Sequence, residues 1–370
     1  MVRGQGPQLP LTTMGSLITG TGISVPDNVV SNQDLARIMD TSDDWITTRT
    51  GVKERRFADP GVGSSHLAIA AVQGALDDAG VDPGEVDALI TATMTPDFLA
   101  PGIAGLVQAG TGLGHVAAYD LRQQCSGFLY ALDLADALLA SHRAGTVVIV
   151  GAETHAGFLP WSETTWQVLR GEGDDLSRED FERNTAHRAW SVLFGDGAGA
   201  MVLRHGAPEN VGILATSLHT DGESFELIWV PGVGFRNRPY VSSQDLAEER
   251  HLPVMDGAGL YRKAVRLMPE AATAVLEKAG MEIGDVDLVV AHQANDRILD
   301  GVRRQFGLSP EKVPSNIGAY GNTTAATLPI LYHEMRSAGR VGPGTLVCFA
   351  AFGAGAHYGA VLYREGGVVV

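Results

Sequence analysis

The chain has 370 residues, 45% of them hydrophobic, which is typical of a globular protein with one large two-part domain or roughly two domains. Its 43 acidic and 27 basic residues give a net charge of −16, which disfavours binding to nucleic acid and to anionic membranes. No apolar run reaches the roughly 20 residues of a membrane helix and the start lacks a secretory signal, so we expect a cytoplasmic protein. Its two cysteines have no metal-ligand spacing, so we expect neither a metal site nor a disulfide framework.

In chain order, short apolar runs alternate with helical stretches through the first part of the sequence. The runs typical of strands are followed by amphipathic segments that end near glycine, as in βαβ units around a mostly buried sheet. The segments that carry this pattern are residues 15–24, 66–80, 87–94, 125–145 and 146–153.

An internal echo predicts two similar halves. Residues 71–90 and 271–290 align without gaps, and each indicates an amphipathic helix, a glycine cap and a buried strand. Each half also ends in a glycine-rich turn before an apolar strand. We therefore predict halves at 15–208 and 209–370, with a boundary near 205–212.

Two segments fall outside this pattern. The acidic stretch at about 158–188 resembles neither half, which indicates an inserted loop or a short helical excursion. Residues 1–14 have no periodicity, so we predict a disordered tail.

Cys125 is the first candidate for chemistry, because it follows a strand region and opens a long apolar helix. A helix N-terminus favours the thiolate by up to about 2 kcal/mol, which predicts a thiol pKa lowered toward neutrality. The alternative is that Cys125 is an ordinary small buried residue.

His292 and Asn322 are the candidates in the second half. His292 stands where the apolar run LVVA gives way to polar residues, a typical edge for site residues in open α/β sheets. Asn322 stands between a predicted strand region, VPSNIGAY, and a helix, roughly where Cys125 stands in the first half. A core histidine and a helix N-cap are the alternatives. If the halves pack pseudo-symmetrically, Cys125 and Asn322 face each other.

At these residues the sequence resembles the β-ketoacyl-acyl carrier protein synthase III (KAS III) family of the thiolase superfamily. The resemblance rests on five blocks that occur in the family's order. They are DTSDDWITTRTGVKER from position 40, QQCSGFLYAL from 123, FGDGAGA from 194, HQAN from 292 and GNTTAAT from 321. The family implies a duplicated α/β fold, the five-layered αβαβα thiolase fold, and a homodimer.

The resemblance also implies roles for the candidates. Cys125 would accept an acyl group, and His292 and Asn322 would donate hydrogen bonds to the enolate formed when a malonyl thioester loses CO₂. The backbone N–H groups of Cys125 and Ala354 would form a separate oxyanion hole. No permanently bound cofactor is implied, since coenzyme A arrives as the thioester substrate.

Further positions match the family's binding sites. Trp45 and Arg188 would sandwich the adenine of coenzyme A, with Arg49 near the phosphates. The acyl pocket would include Ala100, Phe194 and Phe352. Ala100 stands where the family often has a bulky residue. We expect Ala100 to reach the acyl pocket of the partner subunit and to admit longer or branched acyl groups there.

An anionic partner would need a local basic surface, because the chain is acidic overall. Arg297 and Arg304 are seven residues apart and share a helix face, and Arg262 and Lys263 extend the surface. The resemblance implies that this surface docks malonyl-acyl carrier protein, although a solvated helix face explains such charges equally well.

The leading interpretation is an acyl-CoA-primed β-ketoacyl synthase of fatty-acid biosynthesis or, as Ala100 and the insert favour, of polyketide or secondary-metabolite initiation. One alternative is an acyltransferase that moves the acyl group to an alcohol or amine with His292 as base. Another is a noncatalytic partner subunit, against which Cys125 argues. A 3-hydroxy-3-methylglutaryl-CoA-type synthase would need a glutamate base, for which the first half offers no convincing candidate.

Overall fold

The computed structural model describes residues 15–366 except 174, 207 and 209. The tail predicted at residues 1–14 lies outside the described residues. The strands are β1 Ser16–Ser24, β2 Val29–Ser31, β3 Glu54–Arg56, β4 Ala88–Ala92, β5 Ala117–Leu121, β6 Thr146–Glu153, β7 Gly197–His205, β8 Gly212–Thr220, β9 Ile228–Trp229, β10 Val254–Met255, β11 Leu288–Ala291, β12 Leu346–Gly353 and β13 His357–Arg364.

The helices include a long member of each half and two in the predicted insert. They are α1 Asn32–Ile38, α2 Asp43–Thr50, α3 Ser64–Ala79, α4 Ala104–Thr111, α5 Gly127–Ala140, α6 Glu163–Arg170, α7 Arg178–Ser191, α8 Ser243–Ala247, α9 Gly257–Ala279, α10 Asp296–Phe306, α11 Ile317–Tyr320 and α12 Thr327–Ser337. Within the described ranges, none of them is long and apolar enough to cross a membrane.

Two mixed sheets, stacked with helices, form the architecture. The first has the strand order β1-β7-β6-β4-β5 and the second has the order β11-β12-β13-β8. Every residue of β6 and β12 is buried, as expected for central strands that are covered on both faces. Helices α3 and α4 contact the first sheet, and α9 contacts the second and packs against α10.

Helices α5 and α12 form the layer between the sheets, and their apolar side chains share one core with both. Phe128 and Leu132 of α5 pack in the same cluster as Leu328 of α12, Ile149 of the first sheet and Phe349 of the second. The layers are therefore helix, sheet, helix, sheet, helix. The predicted five-layered thiolase-like α/β fold is confirmed.

The two halves repeat each other residue by residue near the end of their long helices. α3 and α9 end at Gly80 and Gly280, which have φ angles of 61° and 66°. Glycine adopts this left-handed conformation without a side-chain clash and caps the helix. The parallel strands β4 and β11 follow at matching positions. One-turn 3₁₀ segments at 124–126 and 324–326 then lead into α5 and α12.

This repeat corrects one detail of the predicted pseudo-symmetry. The residue that corresponds to Cys125 is Ala325, at the centre of the equivalent turn, and Asn322 lies three residues earlier. The strand expected in VPSNIGAY is also wrong, since β11 has no second parallel neighbour within the described residues. Pro314 lacks the N–H that a strand ladder needs there, and only Lys312 accepts from the sheet, through Val289 N at 2.7 Å.

The segment predicted as an insert contains α6 and most of α7, which both contact α1. Its two tryptophans pack edge-on against Phe57, with ring centroids 5.7 Å away for Trp161 and 5.4 Å for Trp166. The segment is therefore packed onto the first half through an aromatic cluster.

Candidate active site

Cys125 lies at the centre of the 3₁₀ turn that opens α5. The preceding residue, Gln124, has a φ of 47°, a conformation that costs non-glycine residues about 1–3 kcal/mol and is typical of functional sites. Ser126 anchors the turn to the second half, because its hydroxyl donates to the carbonyl of His357 at 2.7 Å. The backbone N–H groups of Cys125 and Ala354 both donate to the cysteine sulfur.

Gly353 is the reason that the second half can approach so closely. A Cβ built on Gly353 would lie 3.0 Å from the backbone nitrogen of Cys125 and 2.9 Å from that of Ser126. Only glycine leaves this space free. The N–H groups of Cys125 and Ala354 therefore converge where an oxyanion would form during acyl transfer.

The surroundings of Cys125 contradict the expectation of a lowered pKa. Burial, with a smaller contribution from the charge of Glu153, raises the pKa of the thiol to about 12, although the two N–H groups lower it. Cys125 as a whole residue is half-buried. The sequence argument failed because it counted the helix dipole and not the desolvation of the thiolate, which is the larger effect here.

His292 directly follows β11 and is 2% exposed. Its backbone N–H donates to the carbonyl of Ala350 at 2.8 Å, which fixes the end of β11 against β12, three residues before Gly353. Its ring makes one hydrogen bond, between Nδ1 and the hydroxyl of Thr327 at 2.7 Å. Burial lowers the pKa of His292 to about 3, so the imidazole is neutral at physiological pH.

Asn322 is held by three hydrogen bonds that leave its amide N–H groups available. Its backbone N–H donates to Leu193 at 2.8 Å, and its carbonyl accepts from Gly195 at 3.2 Å. Its side-chain Oδ1 accepts from the N–H of Thr324 at 2.9 Å, which points the Nδ2 donors away from the turn. The turn that follows Asn322 contacts the turn that carries Cys125. The structure thus brings Cys125, His292 and Asn322 to adjoining strand and helix ends.

Glu153 is a site residue that the sequence argument missed. It ends the buried strand β6 and is 0% exposed, and burial raises its pKa. Its carboxylate accepts from the backbone N–H groups of Met94 at 3.2 Å and Thr95 at 3.1 Å, and from the hydroxyl of Thr95 at 2.6 Å. The first half therefore does contain a glutamate near Cys125, but local donors occupy it. An ionisable residue that ends an otherwise largely apolar strand was the available signal.

The predicted coenzyme A residues are brought together. The guanidinium carbon of Arg188 lies 4.9 Å from the Trp45 ring centroid, and that of Arg49 lies 4.5 Å away. Arg188 also donates to the backbone carbonyl of Asp40 and, at 3.1 Å, to its carboxylate. Adenine would have to lie between the Trp45 ring and the Arg188 guanidinium, which requires about twice the separation of a single stacked pair. Arg188 must therefore move aside before adenine can enter.

The predicted basic surface is only partly free. Arg262, Arg297 and Arg304 are exposed. Arg297 donates to the carbonyl of Thr48 at 3.3 Å, which places it beside the helix of Trp45. Lys263 is neutralised by Asp221 at 2.5 Å, so it does not extend the surface as expected.

The three predicted acyl-pocket residues lie in different environments. Phe194 is buried, forms a bridge with Asn322 and stacks on His155, with ring centroids 4.7 Å apart. Phe352 is buried in the core of the second sheet, next to Gly353. Ala100 lies in an exposed loop of its own chain. None of the three lines the cavity of about 790 Å³ that adjoins Thr95 and the insert.

No group of three or more potential ligands that could hold a metal occurs in the described part of the chain. A cysteine that receives two backbone N–H groups, beside a neutral histidine and an asparagine from the second half of a duplicated five-layered fold, defines a condensing enzyme of the thiolase class.

Comparisons with known proteins give the family. Residues 119–175 and 176–222 match 3-oxoacyl-[acyl-carrier-protein] synthase III, and residues 276–365 match its C-terminal part. The chain is 39% identical to the β-ketoacyl-[acyl-carrier-protein] synthase III of Symbiobacterium thermophilum, over 94% of this chain and 98% of that protein. The chain therefore belongs to the β-ketoacyl-acyl carrier protein synthase III family, and it is an enzyme of the transferase class.

Solved structures agree with this assignment. The crystal structure of 3-oxoacyl-[acyl-carrier-protein] synthase III from Aquifex aeolicus matches with a TM-score of 0.80 and 38% identity, covering 95% of this chain and 100% of that one. The priming β-ketosynthase of a polyketide biosynthetic pathway matches with a TM-score of 0.79 and 29% identity, covering 98% and 99%.

Proposed function

We propose that the enzyme is an acyl-CoA-primed β-ketoacyl synthase that works in two half-reactions. In the first, Cys125 attacks the acyl-CoA carbonyl, the N–H groups of Cys125 and Ala354 stabilise the oxyanion, and coenzyme A leaves with the thiol proton. In the second, malonyl-acyl carrier protein loses CO₂ and its enolate attacks the acyl-Cys125 thioester. The product is a 3-ketoacyl thioester, and Cys125 is restored.

The observation that carries this proposal is the presence of two separate sets of donors. The backbone pair at the sulfur suits the tetrahedral oxyanion of acyl transfer, whereas the side chains of His292 and Asn322 suit an enolate on a second substrate. A neutral His292 fits an N–H donor to an enolate. Condensation uses both sets, and simple acyl transfer needs only the first.

The substrates follow from the surfaces around the site. Coenzyme A would bind over Trp45 once Arg188 swings away, with Arg49 beside its phosphates. The acidic carrier protein would dock on Arg262, Arg297 and the neighbouring Arg304. No permanently bound cofactor is part of this proposal, because bond cleavage and formation are served by side chains and backbone donors.

A homodimer is supported by the edge of the first sheet. Strand β5 has β4 as its only strand neighbour in the described sheet, and two of its five residues are intermediate while three are exposed. An unpaired edge of this kind is a template for pairing with a second copy. Phe98 and Leu99 are 62% and 48% exposed nearby in sequence to Ala100, so a second copy would also cover apolar surface.

We propose a longer or branched starter unit, and a role in fatty-acid synthesis or, as Ala100 and the insert favour, in polyketide or secondary-metabolite initiation. Ala100 leaves room in the loop that a dimer would present to the partner's pocket. The likeness to a priming β-ketosynthase of a polyketide pathway supports this choice. A cytoplasmic location accompanies these substrates.

The experiment that tests the proposal is intact-mass measurement of the enzyme after incubation with a panel of acyl-CoAs, with Cys125→Ala as the control. The acylated enzyme is then exposed separately to malonyl-acyl carrier protein and to small alcohols and amines. Loss of the acyl mass only with malonyl-acyl carrier protein supports condensation. Loss with an alcohol or amine supports the acyltransferase alternative, and absence of acylation supports a noncatalytic subunit.

A further inference from the structure

The ring of His292 depends on one neighbour for its tautomer. Under the proposed function, Nε2 must carry a proton in order to donate to the malonyl enolate. Because burial keeps the imidazole neutral, with a pKa of about 3, only one ring nitrogen is protonated at a time. Nδ1 must then accept a hydrogen bond, and the group it contacts is the hydroxyl of Thr327 at 2.7 Å.

Thr327 is the first residue of α12 and is 2% exposed, so its hydroxyl is fixed in position by the helix start. The hydroxyl has two acceptors within reach: Nδ1 of His292 and, at 2.9 Å, the carbonyl of Thr324. That carbonyl already accepts the backbone N–H of Thr327, which closes the 3₁₀ turn. The carbonyl therefore stays paired when the hydroxyl turns to the histidine.

We propose that Thr327 donates its hydroxyl proton to Nδ1 of His292 and so holds the imidazole in the tautomer that presents Nε2–H to the malonyl enolate. Thr327 is a positioning residue, since it acts through His292 and touches no substrate. The opposite arrangement, with Nδ1–H donating to the hydroxyl and the hydroxyl donating to Thr324, would leave Nε2 as a lone pair that repels the enolate. The expected effect on CO₂ release rests on the proposed function, whereas the tautomer of His292 can be measured independently of it.

The same turn sets both side-chain donors. The backbone N–H of Thr324 donates to Oδ1 of Asn322 at 2.9 Å, which turns the Asn322 amide donors outward. Three residues later, Thr327 orients the histidine. The short segment NTTAAT thus orients the hydrogen-bond donors of both Asn322 and His292, through the N–H of Thr324 and the hydroxyl of Thr327.

The first measurement is the tautomer itself. Nitrogen-15 NMR of histidine-labelled enzyme distinguishes Nε2–H from Nδ1–H, and the His292 signal among 11 histidines is assigned by its loss in His292→Ala. We expect Nε2–H in the wild-type enzyme. An Nδ1–H signal overturns the proposal whatever the enzyme's reaction is.

The second measurement uses Thr327→Val, which keeps the shape of the side chain and removes the hydroxyl, and Thr327→Ser, which restores it. We expect Thr327→Val to slow CO₂ release from malonyl-acyl carrier protein by about 10- to 100-fold, which is less than loss of the donor itself, and to leave Cys125 acylation within about 3-fold. Thr327→Ser should recover most of the rate.

Thr111→Val is the matched control, because it removes a buried hydroxyl that donates to a backbone carbonyl at 2.6 Å within α4, outside the turns that carry Cys125, Asn322 and Thr327. Equal loss of acylation and CO₂ release in Thr327→Val, or no loss of either, refutes the positioning role. If the wild-type enzyme releases no CO₂, the proposed function fails, while the NMR result still decides the tautomer.

Discussion

Replacing Gly353 by alanine should disable acyl transfer without unfolding the enzyme. Gly353 has a φ of −142°, which any residue adopts, so the effect comes from space alone. The new Cβ would lie 2.9–3.2 Å from Ser126 N, Cys125 N and Cys125 Cβ, about 0.2–0.5 Å inside ordinary contact. Two of these three atoms are backbone nitrogens and cannot rotate away. The turn that holds the sulfur must therefore shift from the Ala354 donor.

The expected magnitude is that of losing one oxyanion donor, a fall in the acylation rate of about 10²–10³, or about 3–4 kcal/mol in the barrier. The assay is time-resolved intact mass of Cys125 acylation under single-turnover conditions. Gly84→Ala is the control, because a Cβ there meets nothing within 4 Å. Folded Gly353→Ala enzyme that acylates within about 3-fold of wild type would refute the reasoning.

Three further predictions follow from the same contacts. Since burial raises the pKa of Cys125 to about 12, its alkylation by iodoacetamide should rise about tenfold per pH unit up to about pH 9, and a plateau below pH 8 contradicts this. Trp45→Ala should raise KM for acyl-CoA by about tenfold and leave acyl-pantetheine, which lacks adenine, unchanged; an equal effect on both removes the adenine site. Ala100→Phe should lose activity selectively on the larger acyl-CoAs, and an equal loss on acetyl-CoA would sink the pocket assignment.

The fold was predictable because matching segments of the two halves of the sequence align without gaps, which places equivalent helices and strands at matching positions. A glycine after each long helix and an apolar strand at a matching position, as at Gly80 and Gly280, recur through both halves and leave few alternatives to a duplicated sheet. The missing strand before α11 was not predictable from apolar content, because Pro314 blocks pairing while its neighbours still look like a strand. The acidic composition of the insert left both a loop and a short helical excursion open, and the structure has the helices α6 and α7 there.

The site divides in a similar way. Cys125, His292 and Asn322 could be found because each stands at the boundary of a predicted strand or helix and lies in a sequence block that resembles the family. The raised thiol pKa could not, since it depends on burial and on Glu153, which only the folded chain brings near. The position of Arg188 over the Trp45 ring could not be predicted either, because it depends on a contact between Arg188 and Asp40, which are 148 residues apart in sequence.

The central claim, that separate donors serve acylation and decarboxylation, is tested most directly by Asn322→Asp. The measurement follows purified enzyme through a single turnover, recording acyl-Cys125 by mass and ¹³CO₂ from carboxyl-labelled malonyl-acyl carrier protein. An aspartate cannot donate as the amide does, so we predict near-normal acylation and CO₂ release slowed by about 10²-fold or more. Equal slowing of both steps in the folded variant would contradict the division of roles.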